Sequence, residues 1–233
     1  MASVEKRFGK LDILRGVDAG FEGGKITAVV GPNASGKTTL MKCILGLVLP
    51  DAGEVRVGGE SVRRNPKTRA QIGYMPQKAQ FPENLRPKEL FDWIQDLRGE
   101  KSSLTRSLID YFELEPFLGK PLRVLSGGTR QKVSAVLAFL FDPPVLMLDE
   151  PTAGLDPLAS SRLKDRMFEE RARGKTIILT SHVMSELEEF TDEVKFLLEG
   201  KIVFQGSLDE VRQRTGEERL ERAIARMMEG GSL

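Results

Sequence analysis

A glycine-rich loop between an apolar strand and a helix constrains the fold of this chain more than any other stretch. Residues 25–30 (Lys-Ile-Thr-Ala-Val-Val) form a short β-rich apolar run, and residues 38–49 carry apolar side chains at helical spacing. Between them, Gly31 and Gly36 allow the backbone to curl so that successive amide N–H groups point the same way. The sequence therefore predicts a strand, an anion-binding loop and a helix in direct succession.

Further apolar runs predict more buried strands. They lie at residues 145–148, 176–180 and 194–198, with a helix predicted at residues 157–173 between the first two. Strands that alternate with helices form a parallel sheet with helices on its faces. We therefore expect an α/β fold with a mostly parallel core sheet.

Two regions depart from this alternation. Glycine-bounded runs at residues 53–57 and 201–205 predict short strands, and we expect the first to lie in an antiparallel layer beside residues 3–8. Residues 81–122 lack β-rich runs. This stretch indicates a helical insertion, with helices predicted at residues 87–97 and 103–112.

The length of 233 residues, 40% of them hydrophobic, suits one large domain with a small appendage. We expect a cassette over residues 1–216, with the helical insertion at about 81–142. A helical tail is predicted over residues 217–233.

The charge balance and apolar runs exclude several classes of protein. The formal net charge is +1, so no global field favours nucleic acid or acidic membranes. Cys43 is the only cysteine, which excludes an intrachain disulfide, agrees with a reducing cytosol and suggests a small core residue. The apolar run at residues 135–141 is too short to span a bilayer, and the first residues lack a signal-peptide core. Any membrane contact is expected through a partner.

The glycine-rich loop offers groups suited to a nucleotide. Lys37 supplies positive charge to the β- and γ-phosphates, and Thr38 supplies a hydroxyl to magnesium. Asp149, at the end of a buried strand, supports the ion through its water shell. The alternative is a glycine-rich turn that arose by chance, and the strand and helix on either side argue against it. The predicted nucleotide-binding residues of the loop are Gly31, Asn33, Ala34, Ser35, Gly36, Lys37, Thr38 and Thr39.

An octet at residues 125–132 (Leu-Ser-Gly-Gly-Thr-Arg-Gln-Lys) precedes the apolar strand that ends in Asp149 and Glu150. Together with the loop at residues 31–38, this octet resembles the signature of ABC-type ATPases, the engines of ABC transporters and of a few soluble relatives. The resemblance implies a P-loop ABC-type cassette with a mostly parallel core sheet, an antiparallel β layer and a helical insertion. It also implies ATP and Mg²⁺ as cofactors.

The chain departs from the family pattern at two positions. Ala34 stands where the family usually has glycine, which is harmless at a negative φ and costs on the order of 1 kcal/mol at a positive one. Thr129 replaces a common glutamine. We expect nucleotide binding to survive the alanine. The threonine is a mild variation, because the serine and glycines of the octet carry the phosphate contact.

The resemblance assigns the catalytic residues. Glu150 polarises the attacking water, although a helix-capping acid is the structural alternative. His182, the only histidine, follows a buried strand and matches the switch histidine that contacts the γ-phosphate. Gln77 occupies the Q-loop position, where it touches magnesium and water. Phe8 matches the aromatic on which adenine stacks, with a core phenylalanine as the alternative.

The resemblance also implies a second copy of the chain. Ser126 is predicted to cap a helix through residues 130–141, while Gly127 and Gly128 leave its N-terminus bare for a phosphate. In the family's head-to-tail dimer, this segment closes over ATP held by the other subunit. Asp156 belongs to a stretch that resembles the D-loop crossing that interface. A homodimer with two ATP sites is the simplest assembly.

The leading functional hypothesis is the ATP-binding subunit of an ABC transporter, on the cytoplasmic face of the inner or plasma membrane, with separate transmembrane subunits. A soluble ABC-type ATPase in cofactor or cluster assembly is the alternative. A DNA-repair or translation ATPase fits poorly, because the chain has neither long coiled-coil insertions nor tandem cassettes. Side chains in the insertion form either a groove for a partner helix or the insertion's own core: Phe81, Leu85, Phe91 and Trp93.

The tail at residues 207–224 is similar to the ends of exporter-type ATPases, specifically the copper-processing type that serves nitrous oxide reductase maturation. Its physical pattern is an amphipathic helix with Leu220, Ile224 and Met227 or Met228 on one face. These methionines suit packing better than metal binding, so any copper would be handled by a partner.

Overall fold

The computed structural model describes residues 1–229, so the last four residues of the predicted tail lie outside the described part. Its central layer is a six-stranded sheet. In spatial order, the strands are β11 (Lys201–Ser207), β10 (Glu193–Leu198), β3 (Lys25–Val30), β9 (Thr176–Thr180), β8 (Val145–Asp149) and β7 (Ile72–Met75). Neighbours from β10 to β7 are parallel, and β11 is antiparallel at one edge. The mostly parallel core sheet is confirmed.

An antiparallel layer lies beside this sheet. It joins β1 (Ala2–Phe8) to β2 (Leu11–Val17) on one side and β4 (Ala52–Glu54) on the other. The antiparallel pairing of β1 with β4, through Ala2 with Glu54 and Glu5 with Ala52, confirms the expected antiparallel layer. The prediction of a single strand at residues 53–57 is wrong in detail, because the chain no longer pairs with β1 after β4. It then pairs as β5 (Arg56–Val57) with β6 (Glu60–Ser61).

Helices cover the sheet and build the insertion. They are α1 (Lys37–Ile44), α2 (Pro87–Arg98), α3 (Thr105–Tyr111), α4 (Gly127–Phe139), α5 (Pro157–Ala172), α6 (Met184–Phe190), α7 (Leu208–Thr215) and α8 (Leu220–Glu229). Short 3-10 turns lie at Pro66–Gln71, Glu115–Phe117 and Leu122–Val124. No helix within residues 1–229 is long and apolar enough to cross a membrane.

Two helices end earlier than predicted. The helix predicted at residues 38–49 stops at Ile44, because Gly46 takes a left-handed φ of 64° and its N–H donates to the Cys43 carbonyl. The helix predicted to reach residue 141 stops at Phe139, and Asp142 turns the chain with a φ of 49°. Both ends are set by left-handed residues just beyond the last turn.

The six-stranded sheet separates two hydrophobic cores. Alternate residues of β3 point to opposite faces, so Ile26 and Ala28 belong to one core and Val29 to the other. Burial on both faces explains why β3 has a nearly continuous apolar sequence. Cys43 is fully buried in the second core, as expected, and burial raises the pKa of its thiol to about 11.

The tail helix α8 packs against α6 and α7 and contributes to the first core. Leu220, Ile224 and Met227 are buried, whereas Met228 is 44% exposed. Met227, and not Met228, therefore lies on the apolar face of the amphipathic helix. Phe91 of the insertion is also buried in this core, while Trp93 is half exposed.

Candidate nucleotide-binding site

A cavity of about 380 Å³ opens at the carboxyl ends of the parallel strands. The loop after β3 and the start of α1 form one wall, and residues that end or follow β7, β8 and β9 form the other. Ligands collect at this edge of open α/β sheets. The structure brings most of the predicted site residues here: Asn33, Ala34, Ser35, Gly36, Lys37, Thr38, Thr39, Gln77, Asp149, Glu150 and His182.

The loop needs glycine at two positions for steric reasons. At Gly31, with a φ of 155°, a Cβ would clash with the carbonyl oxygen of Leu197. At Gly36, with a φ of 110°, a Cβ would lie 2.9 Å from the carbonyl oxygen of Ile13. Close approach to neighbouring backbone and left-handed geometry thus fix both residues as glycine.

Ala34 takes a φ of 62°, in the left-handed region that favours glycine. As expected for an alanine at a positive φ, this residue therefore carries about 1 kcal/mol of backbone strain. The loop keeps its shape nonetheless, with the Ser35 N–H donating to the Pro32 carbonyl at 3.3 Å.

Lys37 places its ammonium group inside the loop. Its Nζ donates to the carbonyl oxygens of Gly31 at 2.7 Å and Pro32 at 2.9 Å. Desolvation lowers the pKa of Lys37, while the nearby carboxylates of Glu150 and Asp149 oppose that shift. A positive charge therefore lies beside the amide groups that open α1.

The adjacent acids Asp149 and Glu150 make different contacts. Asp149 accepts a hydrogen bond from Thr180 Oγ1 at 2.5 Å, across the register pair that joins β8 to β9. Glu150 turns away with a φ of 51°, and its N–H donates to the Thr180 carbonyl at 3.1 Å. The two carboxylates are therefore held separately.

Glu150 is joined to the only histidine. Its Oε1 lies 3.3 Å from His182 Nε2, and its Oε2 accepts a hydrogen bond from the His182 backbone N–H at 3.3 Å. The Glu150 side chain is 11% exposed and that of His182 is 53% exposed. The pair thus combines a shielded carboxylate with an imidazole that reaches solvent.

Two lining residues were missed by sequence reasoning, Ile13 of β2 and Thr180 of β9. Thr180 is the last residue of a predicted buried strand, and ligands gather at such strand ends. Its position at a strand end could therefore have identified Thr180 as a site residue from the sequence. Ile13 has no comparable signal, because its place depends on the fold of the antiparallel layer over the loop.

Other predicted residues do not line the cavity. Phe8 is 49% exposed at the end of β1, with Lys6 Nζ 5.3 Å from its ring centroid. Ser126 caps α4 as predicted, accepting a hydrogen bond from the Thr129 N–H at 3.1 Å. The residues outside the cavity lining are Phe8, Gly31, Ser126, Gly127, Gly128 and Asp156.

Four of these residues belong to a second cluster, which we call the signature surface: Ser126, Gly127, Gly128 and Asp156. Asp156 caps α5, and the hydrogen bond from the Ala159 N–H lowers the pKa of its carboxyl. A Cβ at Gly128 would lie 2.8 Å from the carbonyl oxygen of Gly154, so the two loops approach backbone to backbone. Lys132 Nζ lies 3.7 Å from Asp156 and links the same two segments.

The site combines a phosphate loop, an acidic pair and a histidine at one edge of a parallel sheet. A helix that begins with capped glycines lies on an insertion. Together these features define an ATP-binding cassette. The sequence profile described as ABC transporter matches residues 14–153. The chain belongs to this family. A profile described as AAA domain, putative AbiEii toxin, Type IV TA system, matches the shorter stretch 119–188.

Curated relatives include ATP-binding proteins named for resistance and export. A daunorubicin resistance ATP-binding protein of Streptomyces coeruleorubidus is 33% identical over 224 residues, covering 94% of this chain and 71% of the relative. A Nod factor export ATP-binding protein I of Burkholderia lata is 34% identical over 210 residues, covering 88% of this chain and 69% of the relative.

Solved structures share the fold. An ATP-binding subunit of an ABC transporter has a TM-score of 0.92 at 30% identity, covering 97% of this chain and 98% of that one. A dimeric cassette in a post-hydrolysis state, bound to ADP and Pi, has a TM-score of 0.77 at 23% identity, covering 89% of this chain and 96% of that one. The chain is therefore an ATP-binding ATPase subunit of the ABC transporter family.

Proposed function

We propose that this chain hydrolyses ATP at the cavity between the glycine loop and the ends of β8 and β9, and that hydrolysis powers export through separate transmembrane subunits. The contact between Glu150 and His182, inside the cavity that also holds Lys37, is the observation that carries this proposal. In this proposal, the shielded carboxylate of Glu150 accepts the water proton beside the phosphate-binding loop.

The loop holds the nucleotide in this proposal. Lys37 and the amides at the start of α1 meet the phosphates, and Phe8 stacks on adenine. Phe8 lies outside the cavity lining, but its half-exposed ring is accessible for stacking. The phosphate-binding residues are Gly31, Asn33, Ala34, Ser35, Gly36, Lys37, Thr38 and Thr39.

Three oxygen donors fit Mg²⁺. Thr38, Gln77 and Asp149 line the same cavity with a hydroxyl, an amide and a carboxylate, the hard oxygen ligands that this ion accepts. Thr180 donates to Asp149 and thereby orients its carboxylate. When bound, the ion supplies charge neutralisation at the β- and γ-phosphate oxygens.

Glu150 and His182 carry the water chemistry. The Glu150 carboxylate accepts a proton from the attacking water, and the imidazole of His182 contacts the γ-phosphate and keeps the water aligned. Their contacts at 3.3 Å hold both groups in one arrangement before reaction. Gln77, at the loop that leads into the insertion, completes the positioning of water.

The signature surface acts on a second copy of the chain. Ser126 and Gly127 are exposed and do not line this chain's own cavity. The free N-terminal amides of α4 provide an anion site for the γ-phosphate held by the other copy. A head-to-tail homodimer then contains two composite sites, and Asp156 lies at the interface between the copies.

The domain division follows from the same scheme. We assign the cassette to residues 1–216, with the insertion at about 81–142, and a helical tail to residues 217–233. The transmembrane subunits bring the cassette to the cytoplasmic face of the membrane. Transport by separate subunits remains distinguishable from soluble cofactor or cluster assembly, because only the first yields co-purification with a polytopic membrane protein.

Export is favoured by the names of the relatives, which refer to resistance and Nod factor export. The narrower hypothesis, a copper-processing exporter for nitrous oxide reductase maturation, is supported only by the resemblance of the tail. Stimulation of the ATPase by a membrane subunit from such a gene cluster tests it, and no stimulation by that subunit counts against it.

The test of the proposed activity is steady-state ATP hydrolysis with Mg²⁺ by the wild-type chain and by Glu150→Gln. We expect the variant to lose turnover by a factor of about 100 or more while it retains ATP. Glu221→Gln, which neutralises an exposed acid on α8, is the matched control and keeps wild-type turnover. Hydrolysis by Glu150→Gln at the wild-type rate contradicts the proposal.

A further inference from the structure

A hydrogen bond outside the cavity joins the loop that follows Glu150 to the helix that follows His182. Thr152 Oγ1 donates to Glu186 Oε2 at 2.7 Å. Thr152 lies two residues beyond Glu150, and Glu186 lies four residues beyond His182, in the first turn of α6. The segments that follow Glu150 and His182 are therefore in contact at the Glu150–His182 pair and again at the Thr152–Glu186 pair. Two contacts thus fix the distance between these segments.

Helix α5 supports the second connection. Lys164 Nζ lies 3.7 Å from Glu186 Oε1 and 2.8 Å from Glu189 Oε2. The side chains of Lys164 and Glu186 are only 14% and 22% exposed, so the ammonium and carboxylate are largely shielded from water. Shielding strengthens a charge-assisted hydrogen bond, and contacts to both oxygens fix the orientation of the Glu186 carboxylate.

The catalytic pair needs such support. Glu150 has a left-handed backbone, a conformation that persists only where the surroundings hold it in place. His182 is exposed and precedes α6, and Val183, the N-cap residue of that helix, makes no side-chain cap. The position of His182 therefore depends on how the first turn of α6 is anchored, and Glu186 is in that turn.

We propose that Thr152 and Glu186 are positioning residues for ATP hydrolysis, whose hydrogen bond sets the distance between Glu150 and His182. This inference rests on the proposed roles of those two residues. Neither Thr152 nor Glu186 lines the cavity, so their contact affects turnover and leaves nucleotide binding unchanged. Small displacements of reacting groups have large effects on rate.

Four variants test the proposal. Thr152→Val keeps the shape of the side chain and removes the donor, and Glu186→Ala removes the acceptor. We expect each to lower kcat about tenfold with the KM for ATP unchanged. Thr152→Ser restores the donor and recovers kcat to within about threefold of wild type. Because both substitutions remove the same Thr152–Glu186 hydrogen bond, the Thr152→Val/Glu186→Ala double variant is no slower than the worse single variant.

Glu189→Gln is the matched control, since Glu189 shares Lys164 but does not contact Thr152. We expect it to keep wild-type kcat. Melting temperatures of all variants separate positioning from loss of folding. The proposal is overturned by wild-type kcat in Thr152→Val, by multiplicative losses in the double variant, or by losses that follow the melting temperature. An inactive wild-type chain or an active Glu150→Gln instead contradicts the proposed function itself.

Discussion

Two non-glycine residues at the cavity, Ala34 and Glu150, have left-handed backbones with φ of 62° and 51°. For Glu150 the conformation has a structural purpose, since it turns the carboxylate from Asp149 towards His182. For Ala34 the same conformation is a cost, because glycine adopts this backbone without strain. Backbone strain is therefore tolerated at Ala34, whereas at Glu150 it orients a side chain of the site.

Ala34→Gly is expected to raise the free energy of unfolding by up to about 1 kcal/mol, because it relieves the left-handed alanine. Chemical denaturation measures the change. Ala225→Gly, in the exposed part of helix α8, is the control and is expected to lower the same quantity by about 1 kcal/mol. A loss of stability in Ala34→Gly would show that the alanine is not strained.

His182→Ala is expected to lower kcat for ATP hydrolysis about 100-fold or more, because the group beside the Glu150 carboxylate is removed. The affinity for ATP, measured by equilibrium binding, stays within about twofold of wild type, since Lys37 and the loop amides hold the phosphates. An unchanged kcat would assign His182 a structural role only.

Residues with short-range signals were the predictable part of the site. Lys37, Thr38 and the Asp149–Glu150 pair belong to local patterns whose geometry depends on a strand followed by a loop. Thr180 and Ile13 were missed because they reach the cavity through sheet register and through packing of the antiparallel layer. Such contacts join residues far apart in sequence, and no local pattern encodes them.

At the scale of elements, the buried parallel strands were the most predictable. Strands β3 and β9 match their predicted bounds, because a strand buried on both faces needs an uninterrupted apolar run. Strand β2 and helix α6 had no predicted counterpart. Only two of the seven residues of β2 are buried and α6 has only seven residues, so tertiary contacts decide their structure more than local pattern does.

Asp142 ends the turn after α4 and ties it to the segment after α5. It forms ion pairs with Lys175 and, at 2.7 Å, with Arg173. The hydrogen bond from Lys175 is the main cause that lowers the pKa of Asp142 below its ordinary value of 3.8. A carboxyl with a lowered pKa in the folded state stabilises the fold above its unfolded pKa, and this contribution is lost as the pH falls through the folded value.

Asp142→Asn is therefore expected to lower the free energy of unfolding at pH 7 by about 1 kcal/mol or less, since the carboxylate is part-exposed and screened by salt. Asparagine tolerates the left-handed backbone, so the substitution removes the charge alone. The difference from wild type shrinks as the pH drops below about 4. A difference that stays constant down to low pH would contradict the ion-pair account.

At the scale of the whole molecule, the cavity and the signature surface are two separate parts of one chain. The cavity contains Lys37, Glu150 and His182, while Ser126 and Gly128 lie on the surface that begins α4. The sequence predicted both parts but not the cargo, because neither part contacts the transported molecule in this account. In the proposed mechanism, a second copy joins the two parts, with ATP between them.

The most direct test is the mass of the Glu150→Gln chain in solution, measured by light scattering after size exclusion with ATP and Mg²⁺. Without turnover, ATP remains bound and, in the proposed dimer, the signature surface of each copy closes over the nucleotide of the other. On this account we expect twice the mass of one chain with ATP and a single-chain mass without it. For the double variant Glu150→Gln/Lys37→Ala we expect a single-chain mass with ATP. A Glu150→Gln chain that binds ATP and stays monomeric at every concentration tested would contradict it.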